Sequence, residues 1–496
     1  MTMISRLMGF ARDILFANLF GVSAATDAFF VAFKIPNFLR RLFAEGAFAQ
    51  AFVPVLTDYK QNSQPLALKA FVDHTAGTLA LLLLMMSLLG GLAAPLFVLL
   101  FAPGFVWEGD QYALAVEMLR ITFPYLWFIS LTAFSGAILN AYGRFAIPAI
   151  TPVFLNLAMI AAALWLAPRF DQPILALAWG VLLAGVLQWL FQWPALFRLG
   201  LLPRLRWGWH DAGVRRVLKL MAPAMFSVSV VQINLLFDTL MASFLSTGSV
   251  SWLYYSDRLV EFPLGILGIA VATVILPHLS NHHAGDDKAA FSQSLDWGLK
   301  VVLLIGLPAT LGLVLLAKPL VSTLFQYNEF GASDVLMSAQ SLMAFACGLL
   351  AFMLIKVLVP GFTAREDTQT PVRFGFYSVL CNVVLNLLLI VPLAHAGVAL
   401  ATSLAAYLNA FLLLWALWKR GIYQPGQGWT VFIFRVVLAS MAMSVFLLWE
   451  VDASSWLLWS GARRGMYLAG SILLAMLVYG STLWSLGTRL RDLAAR

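Results

Sequence analysis

The chain of 496 residues is 61% hydrophobic and only 11% charged, where a typical soluble domain carries about 25% charged residues. This composition excludes a water-soluble protein, and no polar stretch is long enough to form a separate soluble domain. A net charge of +8 raises nucleic acid as a partner, so the placement of the basic residues has to decide that question.

Apolar runs near the ~20 residues that span a hydrocarbon core predict an all-α polytopic membrane protein of fourteen helices. They fall at 2–20, 27–56, 73–101, 112–140, 149–167, 174–197, 217–245, 250–277, 295–317, 335–360, 372–392, 397–418, 431–449 and 465–487. Arg12 and Asp13 interrupt the first run and no basic segment precedes it, so it reads as a retained span and not a cleaved signal. Cys347 and Cys381 lie within apolar runs and read as small packing residues.

Alternate connections separate the basic residues. Nineteen of the 31 lysines and arginines, from Lys60 and Lys69 through Arg204 and Arg206 to Arg496, collect on one side; Arg169, Lys318, Arg463 and Arg464 lie on the other. The positive-inside rule then places the basic side and both termini in the cytoplasm. Most of the excess charge is topological, and nucleic acid falls away as a partner.

The chain also repeats itself. APLFVLLF at 94–101 matches KPLVSTLF at 318–325, FLNLAMI at 154–160 matches VLNLLLI at 384–390, TPV recurs at 151 and 370, and LALAWG at 175–180 resembles VALATS at 398–403. Matches in one order and at similar offsets imply two related six-helix lobes. The expected division is an N-terminal lobe at 1–200, a cytoplasmic linker at 201–216, a C-terminal lobe at 217–420 and a final helix pair at 421–496. A shift of six spans preserves orientation, so the repeat is parallel, a transporter architecture with its substrate site between the lobes.

Eight basic residues remain inside spans: Arg6, Arg12, Lys34, Arg40, Arg41, Arg120, Arg258 and Lys356. A cation at mid-bilayer costs about 2.5–3.5 kcal/mol on insertion scales, so it faces a wet cavity or a partner unless it snorkels. Snorkelling suits Arg120 and Lys356. Arg6 and Asp13 are seven apart on one helix face, with Gly9 leaving room between them. In the second span Asp27, Lys34, Arg41 and Glu45 fall near one stripe beside Asn37, although Pro36 can shift the phase and bring Arg40 round instead. In WLYYSDRLVEFPLG, Asp257 or Glu261 can partner Arg258, and Pro263 can break the helix. The planar guanidinium makes bidentate bonds to phosphate and keeps its charge when partly desolvated. Arg6, Arg12, Arg40 and Arg258 in one cavity would hold a pyrophosphate, with the acids offsetting the charge of the empty cavity. The alternative is a set of structural ion pairs that lock the bundle.

The strings SRLMGFARD, ATDAFFVAFKIPNFLRRLFAEGAFAQAFVP, SVSWLYYSDRLVEFPLGILGIA and PGFTAREDTQTPV resemble the MurJ (MviN) family of lipid II flippases, within the multidrug/oligosaccharidyl-lipid/polysaccharide exporter superfamily. The resemblance covers almost the whole chain. It implies two six-helix lobes with a C-terminal pair lining a groove for the lipid tail. It further implies that Arg6, Arg12, Arg40 and Arg258 engage the pyrophosphate of lipid II, an undecaprenyl-pyrophosphate disaccharide-pentapeptide, moved from the cytoplasmic to the periplasmic leaflet. Cell-wall synthesis proteins and membrane lipids are further expected partners. A flippase for another polyprenyl-linked glycan, a cation-coupled drug exporter of the same fold and a structural scaffold of the cell-wall machinery stay open as rivals.

Nothing in the chain reads as an enzyme. There is no P-loop or dinucleotide fingerprint, and HLSNHH at 278–283 lacks the companion ligands of a metal site. Asp238 lies within the seventh span, where an unpaired carboxylate is costly. With Asn382 and Asn386, four apart, and Thr402 it offers oxygens for a coupling sodium ion, as the resemblance to sodium-linked members suggests. A hydrogen-bonded packing contact is the alternative. No cofactor is expected.

Overall fold

The computed structural model describes residues 2–41, 48–107, 109–265, 279, 288–451 and 455–488, and of 2–3 and 222–231 the backbone alone. Glu45 and the histidines of HLSNHH lie outside the described residues. All regular structure among the described residues is helical. In lipid each backbone amide must find its partner within its own segment, so long apolar runs become helices. Nine helical stretches of the described residues are long and apolar enough to cross a membrane.

The chain divides into two compact units, Met1–Ser251 and Trp252–Arg496. The first holds α1 (Thr2–Phe20), α2 (Ala24–Arg40), α3 (Phe48–Asn62), α4 (Pro65–Leu92), α5 (Ala94–Phe101), α6 (Gly109–Thr122), α7 (Tyr125–Ala141), α8 (Ala146–Ala161), α9 (Leu175–Arg198), α10 (Ala212–Ser243) and the start of α11 (Ser249–Pro263). Gly21, at φ +57°, turns the chain between α1 and α2. A capping box then starts α2: the Thr26 amide donates to Ser23 Oγ at 3.3 Å, and the Ser23 amide donates to Thr26 Oγ1 at 2.7 Å. α9 packs on α7 and α8, α1 on α8, α2 on α6 and α10 on α3. Stacked and tilted rings of Phe48, Phe52, Phe71 and Phe134 fill the core among α3, α4 and α7.

The second unit holds α12 (Lys288–Leu315), α13 (Ala317–Phe325), α14 (Ala332–Cys347), α15 (Leu349–Thr363), α16 (Gln369–Lys419), α17 (Trp429–Glu450) and α18 (Gly461–Ser485). Its elements repeat those of the first. A 28-residue helix breaks at one residue before a short helix, at Ala93 before α5 and at Leu316 before α13. These short helices are the two strings matched in the sequence. Pro95 and Pro319 lie in their first turns, where a missing amide proton costs little. The next span is broken in both units, at 123–124 between α6 and α7 and at Gly348 between α14 and α15. A Cβ at Gly348 would lie 2.6 Å from Ser403 Oγ, so glycine admits the close approach of α16. The spans expected at 372–392 and 397–418 are two helices that follow each other directly within α16, divided at Ala394, whose φ of 47° and ψ of −129° are not helical. The final pair, α17 and α18, pack against each other, and α17 also packs on α12.

Two further expectations change. The span 73–101 is two helices, because the chain kinks at Ala93. Cys347 is exposed and Cys381 half-buried, so neither is a core residue: each faces outward from its helix in an apolar setting.

Candidate functional site

Within the first unit the charged residues of α1 and α2 do not stand loose. Arg12, only 5% exposed, donates from Nε and Nη2 to Asp13 Oδ1 at 3.0 and 2.6 Å and from Nη1 to Asn156 Oδ1 at 3.1 Å. Its guanidinium carbon also lies 5.6 Å from the centre of the Phe16 ring. Asn156, on α8, is itself oriented by donating from Nδ2 to the Ser5 carbonyl at 3.0 Å. A buried charge needs such a shell, since an uncompensated one costs several kcal/mol.

This arrangement corrects the pairing expected on α1. Asp13 takes its salt bridge from its neighbour Arg12. The room beside Gly9 belongs to the Asn156 amide, whose Nδ2 lies 3.6 Å from where a glycine Cβ would stand. Arg6 is half-buried and makes no ion pair among the described residues. Helical phase placed Arg6 and Asp13 on one face, but a polar side chain from another helix reached that face first.

On α2 the expected stripe is real, and α10 and α11 receive it. Arg41, at the end of the helix, donates from Nη1 to Gln232 Oε1 at 3.4 Å, and Lys34 donates from Nζ to Thr239 Oγ1 at 3.2 Å. Both pairs step by seven residues on each helix, the spacing at which side chains return to one face. Arg40 takes another direction: its Nε donates to Asn37 Oδ1 at 3.2 Å, and Asn37 donates to the Phe33 carbonyl at 3.0 Å.

Asp27 heads the stripe but is not an open cavity residue. It is fully buried, and its carboxylate accepts from the Gly248 amide at 2.6 Å, the Ser251 amide at 2.8 Å and the Ser251 hydroxyl at 2.5 Å. Gly248 immediately precedes α11 and Ser251 lies in its first turn, where amides lack helical partners. Asp27 therefore supplies the cap of α11 from α2, and its charge suits the positive end of that helix.

In the second unit Arg258 continues α11. It pairs with Glu261 at 2.6 Å and its guanidinium carbon lies 4.9 Å from the Tyr254 ring centre. Of the two expected acids, Glu261 pairs with Arg258, and Asp257, its neighbour in the sequence, is half-buried. Pro263 ends the α-helical geometry of this element.

The oxygens expected for a cation are distributed over both units. Asn382 and Asn386 are wholly buried on α16, Asn386 Nδ2 donates to the Asn382 carbonyl at 3.1 Å, and Thr402 Oγ1 lies 3.5 Å from Asn382 Oδ1. Asp238, half-buried on α10, belongs to the first unit. Among the described residues no three histidine, cysteine, aspartate or glutamate side chains group as metal ligands.

Sequence reasoning missed Asn156, Gln232, Thr239 and Ser251 as partners of the charged stripe. Asn156 carried one available signal: it is the polar residue of FLNLAMI, and the repeated string places Asn386 at the same position.

Residues 16–466 match the family model described as lipid II flippase MurJ. A probable lipid II flippase MurJ of Vibrio cholerae serotype O1 is 48% identical over 100% of this chain and 96% of its own length. The lipid II flippase MurJ of Burkholderia cenocepacia is 42% identical over 98% of this chain and 95% of its own. Among solved structures, a lipid II flippase MurJ in an inward closed conformation superposes with a TM-score of 0.83 at 28% identity, covering 97% of this chain and 96% of that one. A multidrug resistance MATE family transporter of the MOP superfamily, facing inward, shares the fold at a TM-score of 0.68 and 15% identity, over 84% of this chain and 95% of its own.

Proposed function

Since this chain belongs to the lipid II flippase MurJ family, we propose that it carries lipid II from the cytoplasmic to the periplasmic leaflet of the inner membrane by alternating access. The protein is a transporter and breaks no covalent bond of its cargo. The observation that carries this reading is the end-to-end match to a named flippase at 48% identity, with no part of the chain left over for another activity. The drug-exporter and scaffold rivals lose their ground on the same match, because the superfamily's MATE members share only the fold.

The charged residues of α1, α2 and α11 give the reading its chemistry. A pyrophosphate carries multiple negative charges that must leave water to cross a bilayer, and guanidinium groups replace that water with paired N–H donors. Arg6, Arg12, Arg40 and Arg258 are the proposed cradle. Arg6, half-buried, makes no ion pair among the described residues. Arg12 is pre-oriented: Asp13 holds Nε and Nη2, so a phosphate oxygen can take the place of the Asn156 oxygen at Nη1 without the side chain turning. Glu261 and Asp13 limit the positive charge of the empty cradle, and Glu261 releases Arg258 as the anion arrives. Lys34 and Arg41, held to α10, add field without needing to touch the cargo. Asp238, Asn382, Asn386 and Thr402 are proposed to take a coupling sodium ion, supported by the burial of both asparagines and the approach of Thr402 to Asn382. The basic loops and both termini face the cytoplasm in this reading, where contacts with other cell-wall synthesis proteins can form.

The test is complementation in cells depleted of their own flippase. Arg258→Ala should reach normal membrane abundance and fail to support growth, and Arg12→Ala, which also strands the buried Asp13, should fail at equal or lower abundance, while Arg→Lys at either position should rescue partly, since lysine keeps the charge and loses the fork. Full growth with both alanine variants sinks the cradle.

A further inference from the structure

Between α9 and α10 the chain runs extended, with no helix from 201 to 208. It is not a loose connection. The Arg204 amide donates to Asp73 Oδ1 at 2.8 Å, the Arg206 amide to the Asp73 carbonyl at 3.3 Å and the Gly208 amide to Thr78 Oγ1 at 3.1 Å. Lys69 Nζ donates to the Leu202 carbonyl at 3.0 Å. Every second amide is thus tied to α4. The fit leaves no room for a side chain at two points: a Cβ on Gly77 would lie 2.2 Å from the Arg206 carbonyl oxygen, and one on Gly208 would lie 2.3 Å from His74.

An extended segment sends successive side chains to opposite faces. In LRWGW the apolar residues Leu205 and Trp207, and Trp209 at the turn that follows, alternate with Arg206 and Gly208, and they are 53%, 52% and 40% exposed. The two indoles stack, 5.9 Å apart and within 6° of parallel. Arg204 and Arg206 alternate with them, both exposed. The acids nearby are already occupied: Asp73 by Lys69 and the Arg204 amide, Asp211 by the first amides of α10 and His74, Asp58 by Arg216. Arg204 and Arg206 make no ion pair among the described residues.

The strap also has a definite height. The exposed apolar face of α9, Leu183, Leu187, Leu190 and Trp193, ends at Phe197 just before it. On α4 the strap crosses 73–78, and the exposed run of Leu81, Leu84 and Met85 begins immediately after. It therefore lies at the rim of the apolar band, where indoles settle at headgroup level and basic side chains reach phosphates.

We propose that residues 202–209 form an interfacial strap that binds an anionic phospholipid of the adjacent leaflet. Leu205, Trp207 and Trp209 enter the boundary between headgroups and acyl chains, and Arg204 and Arg206 take the lipid phosphate. Under the orientation proposed above this is the cytoplasmic leaflet, but the binding itself does not depend on that orientation or on the cargo. The charge complementarity selects an acidic lipid over a zwitterionic one, and the backbone ties to α4 keep the strap pre-formed, so little order is lost on binding.

The experiment uses the full chain in nanodiscs with and without phosphatidylglycerol. A Leu205→Cys variant, with Cys347 and Cys381 replaced by serine and alanine, carries a bimane label. The label should be quenched by phospholipids brominated near the carbonyl end and shielded from aqueous iodide. Native mass spectrometry should show retained phosphatidylglycerol over phosphatidylcholine, a preference falling on the order of fivefold for each of Arg204→Gln and Arg206→Gln and weakening with salt. Neither side chain holds the strap in place, so both variants should melt as the wild type does. Thr78→Val, which frees the Gly208 amide, should admit iodide to the label while leaving the arginines intact. A label open to iodide in the parent, an unchanged lipid preference in the double arginine variant, or shielding that arises only on adding cytosolic protein would each overturn the proposal.

Discussion

Removing the Asp27 carboxylate should loosen α11 from its first turn. Its three hydrogen bonds are charge-assisted, and the group is buried, so Asp27→Ala leaves the Gly248 and Ser251 amides without their acceptor and the Ser251 hydroxyl with only the long contact to Thr26 Oγ1. Hydrogen bonds to a charged group contribute about 1.5–3 kcal/mol each, and these three share one carboxylate, so their losses do not add. Breaking a buried charged set by deleting one partner costs about 3–5 kcal/mol, which is the expected penalty for Asp27→Ala. Asp27→Asn keeps an oxygen for Ser251 but turns an amide donor toward the Gly248 N–H. One bond of the three is lost, a cost of about 1.5–3 kcal/mol. Denaturant titration of the purified chain in detergent, followed by circular dichroism, gives the apparent free energies. Asp110→Ala, at an exposed acid in the first turn of α6, serves as the reference and should cost no more than about 1 kcal/mol. If Asp27→Ala stays within that margin, or Asp27→Asn costs as much as Asp27→Ala, the capping argument is wrong.

Outside the spans, burial alone would raise the Asp367 carboxyl, but hydrogen bonds from the Thr370 hydroxyl and amide and from Arg420 outweigh it and bring the group down to about 2. A depressed folded-state value means that its stabilisation is complete above the ordinary value of 3.8 and fades as pH falls toward about 2. The melting temperatures of wild type and Asp367→Asn should therefore differ by a constant amount at neutral pH and converge below pH 3.8; a gap that widens on acidification refutes the assignment. Orientation is testable with single cysteines: those at Ser23 and Ser246 should react with an impermeant thiol reagent from the periplasmic side, and one at Ser63 only after the membrane is opened. For coupling, Asp238→Asn should abolish a sodium-dependent conformational change in the purified chain while lipid II binding persists. A preserved sodium response assigns Asp238 to packing.

Hydropathy carried the all-helical membrane architecture, because the bilayer forces every long apolar run into a helix whatever its neighbours are. The repeat was legible to the level of single elements: the matched strings at 94–101 and 318–325 are both short helices after a one-residue break. Helical phase likewise placed Asp27, Lys34 and Arg41 on one stripe. Which helix that stripe would meet was not in the phase. Apolar burial has no direction, whereas a hydrogen bond is short and directional, so partners were chosen by packing between residues far apart in the chain. Arg12 met Asn156 and Lys34 met Thr239 that way, and Asp27 became a cap for a helix more than 200 residues on. The same reason hid the strap at 202–209. Its alternation of leucine, arginine and tryptophan is plain in the sequence, but what ties it down is Lys69, Asp73, Thr78 and the bare backbone of Gly77 on α4.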